Sequence, residues 1–233
     1  MRVLVTRPLN DARETELQLK LRGHSCVIAP LLVVNFFDGP ALDLTDVQAI
    51  LATSANGVRA LARRTARRDV PVFAVGPQTT EAARHAGFAI VKNADGDANA
   101  LARAVLLWLS ADRGLLLHAC GTNTDGALAT ALRASGFTVR SAVLYEVVDN
   151  AELPPAAREA IADGCVAAVL FYSPRSARVF AACVAAAGLA DAASRMLGVC
   201  ISKATALALT PLAMGEIRIA QKPNQAALLD CLG

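Results

Sequence analysis

Short, almost wholly apolar runs recur along this chain, each followed by a polar turn and then by a stretch with helical spacing of its apolar residues. Val47-Gln48-Ala49-Ile50-Leu51-Ala52 and Val166-Ala167-Ala168-Val169-Leu170-Phe171 are two such runs. They read as strands covered on both faces by helices. Similar runs predict strands at Val3-Leu4-Val5, Pro71 to Ala74, Leu115 to Gly121 and Met196 to Val199. Strand, turn and helix in alternation predict parallel sheets with helices on both faces. Asp11 with Glu14 three residues on predicts a capping box, and Gly23, Gly87 and Gly136 stand where left-handed helix stops belong. Asp95-Gly96-Asp97 predicts a turn opening a helix from about Ala98 to Leu109, with Leu101, Val105, Trp108 and Leu109 on one face. The acidic, proline-bearing stretch Asn150 to Pro155 predicts a linker. Leu31 to Phe37 and Ser141 to Val148 break the alternation, since no helix follows either, and read as extended connectors.

The units repeat. Thr53-Ser54-Ala55-Asn56-Gly57 after one strand matches Tyr172-Ser173-Pro174-Arg175-Ser176 after another. Val75-Gly76 with Thr79 matches Ile201-Ser202 with Thr205, and the Val3 strand with its helix matches the Leu115 strand with its helix. Three unit types occur in order and then occur again, so the chain is a duplication. In open parallel sheets ligands bind at the carboxyl ends of strands, where loops gather and helix N-termini offer unpaired N–H groups. Both serine turns fall there, with Ser54 and Ser173 at or near an N-cap.

At 233 residues and 55% hydrophobic, the chain can bury one large core or two ordinary ones. Its mean hydropathy of +0.42 comes largely from alanine spread through amphipathic segments, without an uninterrupted span of bilayer length. Met1-Arg2 leads directly into the first strand, which leaves no room for a signal peptide. The six cysteines lack paired spacing and read as reduced thiols, so a cytoplasmic location is expected. A net charge of +3 is too small to argue for nucleic acid, though it suits an anionic small molecule. There is no G-x-G-x-x-G, no P-loop and no clustered His/Cys/Asp set, so neither metal nor cofactor is expected.

The Thr6-Arg7-Pro8 start, Thr53 to Gly57, Val75-Gly76 with Thr79, Leu144-Tyr145, Tyr172-Ser173-Pro174 and Thr205 together resemble the uroporphyrinogen-III synthase family over nearly the whole length. The resemblance implies an α/β fold of two flavodoxin-like parallel-sheet domains joined by a two-stranded antiparallel connector. It places one domain at 1–30 and 149–233, an inserted domain at 38–140, and the connectors at 31–37 and 141–148. A cut near residue 112 is what the repeat alone would give. The implied activity is a cofactor-free lyase reaction of porphyrin biosynthesis, in which hydroxymethylbilane closes to uroporphyrinogen III with loss of water and inversion of the last pyrrole ring. That linear tetrapyrrole carries eight carboxylates and its hydroxymethyl carbon ionises readily, so the protein mainly folds the chain and controls which carbon is attacked. A monomer with at most transient contact with the preceding deaminase, and with no membrane partner, completes the implied picture.

Carboxylates are then held by backbone N–H groups, hydroxyls and a few cations. The substrate contacts expected are Thr6, Arg7, Ser54, Ala55, Asn56, Gly57, Gly76, Thr79, Gly121, Ser173, Pro174, Arg175, Ser176, Ser202, Lys203 and Thr205. Arg7 and Arg175 could pair with carboxylates in a bidentate manner. Tyr145, read alone, is an amphipathic residue packing at a junction; the resemblance makes it the catalytic residue, its phenol donating to the departing hydroxyl. The turns at Ser54 and Ser173 would then serve one long acidic substrate from different domains. Arg63, Arg64, Arg67 and Arg68 read as a solvated basic helix end, and His24, His85 and His118 as structural. Two departures from the family pattern stand out: Ser202 in place of a glycine, which predicts a backbone less able to take positive φ, and no arginine at Ala119-Cys120-Gly121. A two-lobed binding protein that closes on a carboxylated ligand without chemistry is the alternative.

Overall fold

A computed structural model describes residues 1–124 and 126–233. The strands are β1 Arg2–Val5, β2 Ser25–Ile28, β3 Leu32–Phe36, β4 Val47–Ala52, β5 Val72–Ala74, β6 Val91–Asn93, β7 Leu115–Gly121, β8 Val139–Asp149, β9 Ala168–Phe171, β10 Leu197–Cys200 and β11 Glu216–Ile219. The helices are α1 Leu9–Leu21, α2 Ala55–Arg64, α3 Pro77–His85, α4 Ala98–Trp108, α5 Ala127–Ala134, α6 Pro155–Ala162, α7 Pro174–Ala186, α8 Ala190–Ala193, α9 Lys203–Leu207 and α10 Gln225–Asp230. Among the described residues no helix is long and apolar enough to cross a membrane. Two compact units divide the chain: Met1–Val33 with Val148–Gly233, and Val34–Val147.

The first unit holds a five-stranded parallel sheet in the order β11-β10-β9-β1-β2. Its strand β1, between β9 and β2, is buried on both faces, with Leu4 in one apolar cluster and Val3 and Val5 in the other. The second unit holds β6-β5-β4-β7-β8 in parallel, with β3 added beyond β8. Here Ile50 and Ala52 face one core while Ala49 and Leu51 face the other. The Phe37 N–H donates to the Leu144 carbonyl at 2.8 Å and the Asn150 N–H to the Leu31 carbonyl at 2.9 Å. Partners that climb on one strand as they descend on the other make β3 and β8 antiparallel. Both expected connectors are therefore strands, and β8 starts earlier, at Val139, because its first half is also a parallel sheet strand against β7.

The duplication is interleaved between the sheets. By sequence, β1 matches β7, β4 matches β9 and β5 matches β10. In space β1 neighbours β9 and then β10, while β7 neighbours β4 and then β5. Each sheet thus takes its first unit from one copy and its next two from the other. The first has the flavodoxin order 2-1-3-4-5, and the second has the same order shifted cyclically to 3-2-1-4-5.

Two local expectations fail. There is no capping box at Asp11: α1 starts at Leu9 with Pro8 as N-cap and no side-chain cap, because Asp11 turns back to Arg7. Nor is Asn150 to Pro155 a free linker. The Asn150 side chain donates to the Pro30 carbonyl at 2.5 Å, Leu153 is buried, and α6 begins at Pro155. Gly23, Gly87 and Gly136 take the left-handed conformation that ends their helices, with φ of 75°, 85° and 88°.

Phe171 and Phe180 meet edge to face at 5.2 Å in the first unit, whereas Trp108 meets Phe73 at 5.1 Å in the second. Phe171→Ala is expected to cost the first unit about 3–5 kcal/mol. In urea, part of the circular-dichroism transition should move to lower concentration while the Trp108 fluorescence midpoint stays in place. Equal shifts of both would mean that the units unfold as one.

Candidate functional site

In the second unit the sheet order reverses between β4 and β7, so the turns leaving those strands flank the crevice that parallel sheets use for ligands. The β4 turn is Thr53-Ser54. Ser54 is the N-cap of α2, with extended backbone, and its hydroxyl accepts from the Asn56 N–H at 3.1 Å. The Asn56 carboxamide oxygen accepts from Arg59 at 2.9 Å. Gly57 is the contact point between α2 and β7: a Cβ there would stand 2.6 Å from the Ala119 carbonyl oxygen.

Tyr145 reaches this place through a bulge. Cys120 pairs with Val143 but Gly121 pairs with Tyr145, so Leu144 is an extra residue in β8. Strict alternation would put Leu144 and Tyr145 on opposite faces. The bulge instead lays both in the core formed with Val58, Leu61 and Ala119. A Cβ on Gly121 would stand 2.9 Å from the Tyr145 ring, and one on Gly57 would stand 3.8 Å from it. The ring therefore occupies a slot that two missing side chains leave open. Burial pushes the phenol above its ordinary value.

Gly76, the N-cap of α3, has φ −161° and ψ −179°, and its carbonyl accepts from the Thr80 hydroxyl at 3.0 Å. Thr79 is buried in the first turn. The matching Ser202 has φ −156° and ψ 165°. Both are extended backbone that any residue adopts, so the loss of glycine at 202 costs nothing in φ. It adds a cap: the Ser202 hydroxyl accepts from the Thr205 N–H at 3.3 Å and meets the Thr205 hydroxyl at 3.0 Å.

The first unit reverses between β1 and β9. Thr6 is fully buried, and its hydroxyl donates to the Leu170 carbonyl at 2.7 Å, so it ties the two strands together. Ser173 caps α7 by accepting from the Ser176 N–H at 3.1 Å, while the Ser176 hydroxyl donates to the Ser173 carbonyl at 2.9 Å. Pro174 occupies the first turn of α7. Arg7 is buried: it donates to Gln225 Oε1 at 2.6 Å, lies 3.5 Å from an Asp11 carboxylate oxygen, and stacks 4.2 Å above the Tyr172 ring. Its donors are turned inward, toward α1 and α10. Arg175 is part-exposed and pairs with Asp149 at 2.6 Å, and Lys203 is exposed.

Of the arginines at the end of α2, Arg63 and Arg67 are exposed as expected, while Arg64 and Arg68 are half-buried. Arg64 donates to the Phe37 and Pro40 carbonyls, Arg67 to that of Leu44, and Arg68 to those of Ala62, Thr65 and Ala86, while Arg63 stacks on Phe36. Arg68 closes carbonyls that the ends of α2 and α3 leave open, and Arg64 and Arg67 tie down the loop between β3 and β4. Two partners were not assigned to the site from the sequence. Tyr172 forms the floor under Arg7, and buried His118 brings Nε2 to 3.4 Å from the Thr53 hydroxyl, beneath the β4 turn. An aromatic residue just before a Ser-Pro turn was the available signal for Tyr172; for His118 only its place near a strand's carboxyl end. Among the described residues no group of three or more His, Cys, Asp or Glu side chains could hold a metal ion.

The two arginines should separate by stability. Arg7→Ala removes a buried guanidinium with its bonds to Gln225 and Asp11 and is expected to cost about 3 kcal/mol. Arg175→Ala removes a part-exposed pair and should cost about 1 kcal/mol or less. Chemical denaturation of both variants checks this; equal losses would show that Arg7 is not a buried strut.

The family model that matches, described as uroporphyrinogen-III synthase HemD, covers residues 13–230. No curated protein matches the chain. Among solved structures, uroporphyrinogen-III synthetase from Helicobacter pylori 26695 is 17% identical, with a TM-score of 0.65 over 100% of this chain and 98% of that one. A mutant uroporphyrinogen III synthase from the extremely thermophilic bacterium Thermus thermophilus is 17% identical, with a TM-score of 0.51 over 100% of this chain and 97% of that one. At such identity these two similarities speak for the fold.

Proposed function

The chain belongs to the uroporphyrinogen-III synthase family, and we propose how its turns and its buried tyrosine serve that reaction. The activity is the cyclisation of hydroxymethylbilane to uroporphyrinogen III, with loss of water and inversion of the last pyrrole ring, in haem biosynthesis. The chemical demand is unequal. The hydroxymethyl carbon ionises readily, so the barrier to leaving is modest, whereas the choice of attacked carbon must be imposed by holding the chain in one conformation.

Tyr145 hydrogen-bonds the departing hydroxyl. The observation that carries this is its slot: the bulge at Leu144 and the bare Cα atoms of Gly57 and Gly121 fix one phenol beside the Ser54 turn. A phenol raised by burial is a weak acid, so it donates a hydrogen bond to the leaving oxygen rather than transferring its proton outright. Carboxylates bind at the first turns of α2, α3 and α7, where N–H groups lack intrahelical acceptors and the helix dipole favours negative charge. Ser54, Asn56, Gly76 and Ser173 line these turns, and Ser202 and Lys203 the start of α9. Arg175 exchanges its Asp149 partner for a substrate carboxylate. Thr6, Arg7 and Thr205 hold the turns in shape from beneath, without touching substrate. The chain acts as a monomer in the cytoplasm and takes its reactive substrate from the deaminase in a transient encounter.

The protein is expected to turn porphobilinogen plus the deaminase into mainly type III porphyrin after oxidation and isomer separation. Type I alone, at protein levels that bind the bilane, would defeat the reading. Tyr145→Phe should lower turnover at least tenfold and leave substrate binding within about twofold. The phenol is a donor only while protonated, and burial raises its titration; Cys120, the ionisable neighbour, is itself kept neutral by burial. Tyr145 should therefore place no alkaline limb on turnover below about pH 10, and such a limb lost in Tyr145→Phe would contradict the burial argument.

A further inference from the structure

Arg175 is the second residue of α7, and a carboxylate of the protein itself already sits on it. Its Nε donates to Asp149 Oδ1 at 2.6 Å, with the two side chains 34% and 50% exposed. Both ends of this pair are anchored. Asp149 is the last residue of β8, and the chain is tied down directly after it, where the Asn150 N–H donates to the Leu31 carbonyl at 2.9 Å and its carboxamide to the Pro30 carbonyl at 2.5 Å. On the other side Pro174 sets the backbone of the first turn, and Ser173 caps it by accepting from the Ser176 N–H at 3.1 Å. A carboxylate tethered in this way meets its guanidinium at an effective concentration on the order of millimolar.

Resting on the reading of Arg175 given above, we propose that Asp149 is an internal competitor for the carboxylate subsite on Arg175. It lowers the affinity of that subsite for every carboxylate alike. A free monocarboxylate competes with it only at bulk concentration, and so leaves Asp149 in place. A carboxylate on a chain already held at other turns arrives with an effective concentration of its own and replaces it. The subsite is thereby filled by a long polycarboxylated substrate and passed over by small acids, and it releases the product against the same competitor. Exposure makes the exchange feasible. Displaced from Arg175, Asp149 turns its charge into water, whereas displacing Asp11 from buried Arg7 would strand a charge in the interior. No proton is transferred and no covalent bond changes.

The test is a double-mutant cycle on the whole protein, with preformed hydroxymethylbilane as substrate and propionate, at constant ionic strength, as the small competing acid. Asp149→Ala should lower KM about twofold to fivefold, the scale of one part-exposed ion pair, and lower the inhibition constant of propionate by a similar factor. Arg175→Ala should raise KM. In the Arg175→Ala background Asp149→Ala should change neither constant, because the competitor then has nothing to occupy. An unchanged or raised KM in Asp149→Ala, beside a raised KM in Arg175→Ala, overturns the competition. So does a lowered KM that persists in the double variant, which would be the long-range effect of removing one negative charge. An unchanged KM in Arg175→Ala overturns instead the reading of Arg175 as a substrate contact, so the two failures are read from different variants.

Discussion

The constraint that shapes the second unit is the seat of α2 on β7, where Gly57 lies so near the Ala119 carbonyl that any Cβ would intrude to 2.6 Å. Nearly everything else at that sheet edge depends on it. With α2 seated this deeply, Ser54 caps it at the level of the strand ends, and the ring of Tyr145 can lie beneath the helix. The matching position in the first unit is Ser176, which carries a Cβ and folds its hydroxyl back onto the Ser173 carbonyl. The duplicated turns thus diverged in depth: one admits a buried phenol, and the other uses its space for a second hydroxyl.

Interleaving explains how two similar sheets arise from a chain whose copies run in sequence. A parallel sheet does not record which copy supplied a strand; it requires only that each crossover be right-handed and each strand be covered on both faces. Pairing β1 with β9 and β7 with β4 meets both demands and yields one strand order twice, once in cyclic shift. Long-range contacts secure the pairing: the Thr6 hydroxyl on the Leu170 carbonyl and the Arg7 guanidinium on Gln225 join residues far apart in sequence.

Those joins mark where sequence reading stops. Apolar runs gave β1, β4, β5, β7, β9 and β10, three glycines gave helix ends, and the serine turns gave the caps of α2 and α7, because each of these is decided within a few residues; the short edge strands β2, β6 and β11 were not read that way. Arg7 was read as a cation for carboxylates, yet its partners come from α1 and α10, which no local pattern connects. Asp11 fails as a cap for a local reason: α1 already starts at Leu9, and its carboxylate turns back to Arg7. A serine at 202 predicts a backbone less able to take positive φ than glycine's, but the turn never enters positive φ, which only the backbone could reveal. The bulge at Leu144 was equally hidden: period two has no way to announce one extra residue, and that residue decides which face Tyr145 occupies.

A substrate rich in carboxylates invites the expectation of a site rich in arginine, and this chain answers differently. Arg7, Arg64, Arg67 and Arg68 are engaged by internal oxygens, and Arg175 already faces Asp149. Fixed N–H groups at capped helix starts are better suited to a flexible polyanion whose conformation selects the product. An arginine follows a carboxylate over several ångströms and holds many conformers almost equally well. A capped helix N-terminus accepts it in one place. If the proposed turns hold the substrate, selectivity lies in their rigidity, to which the internally engaged Arg7 contributes as a buried strut.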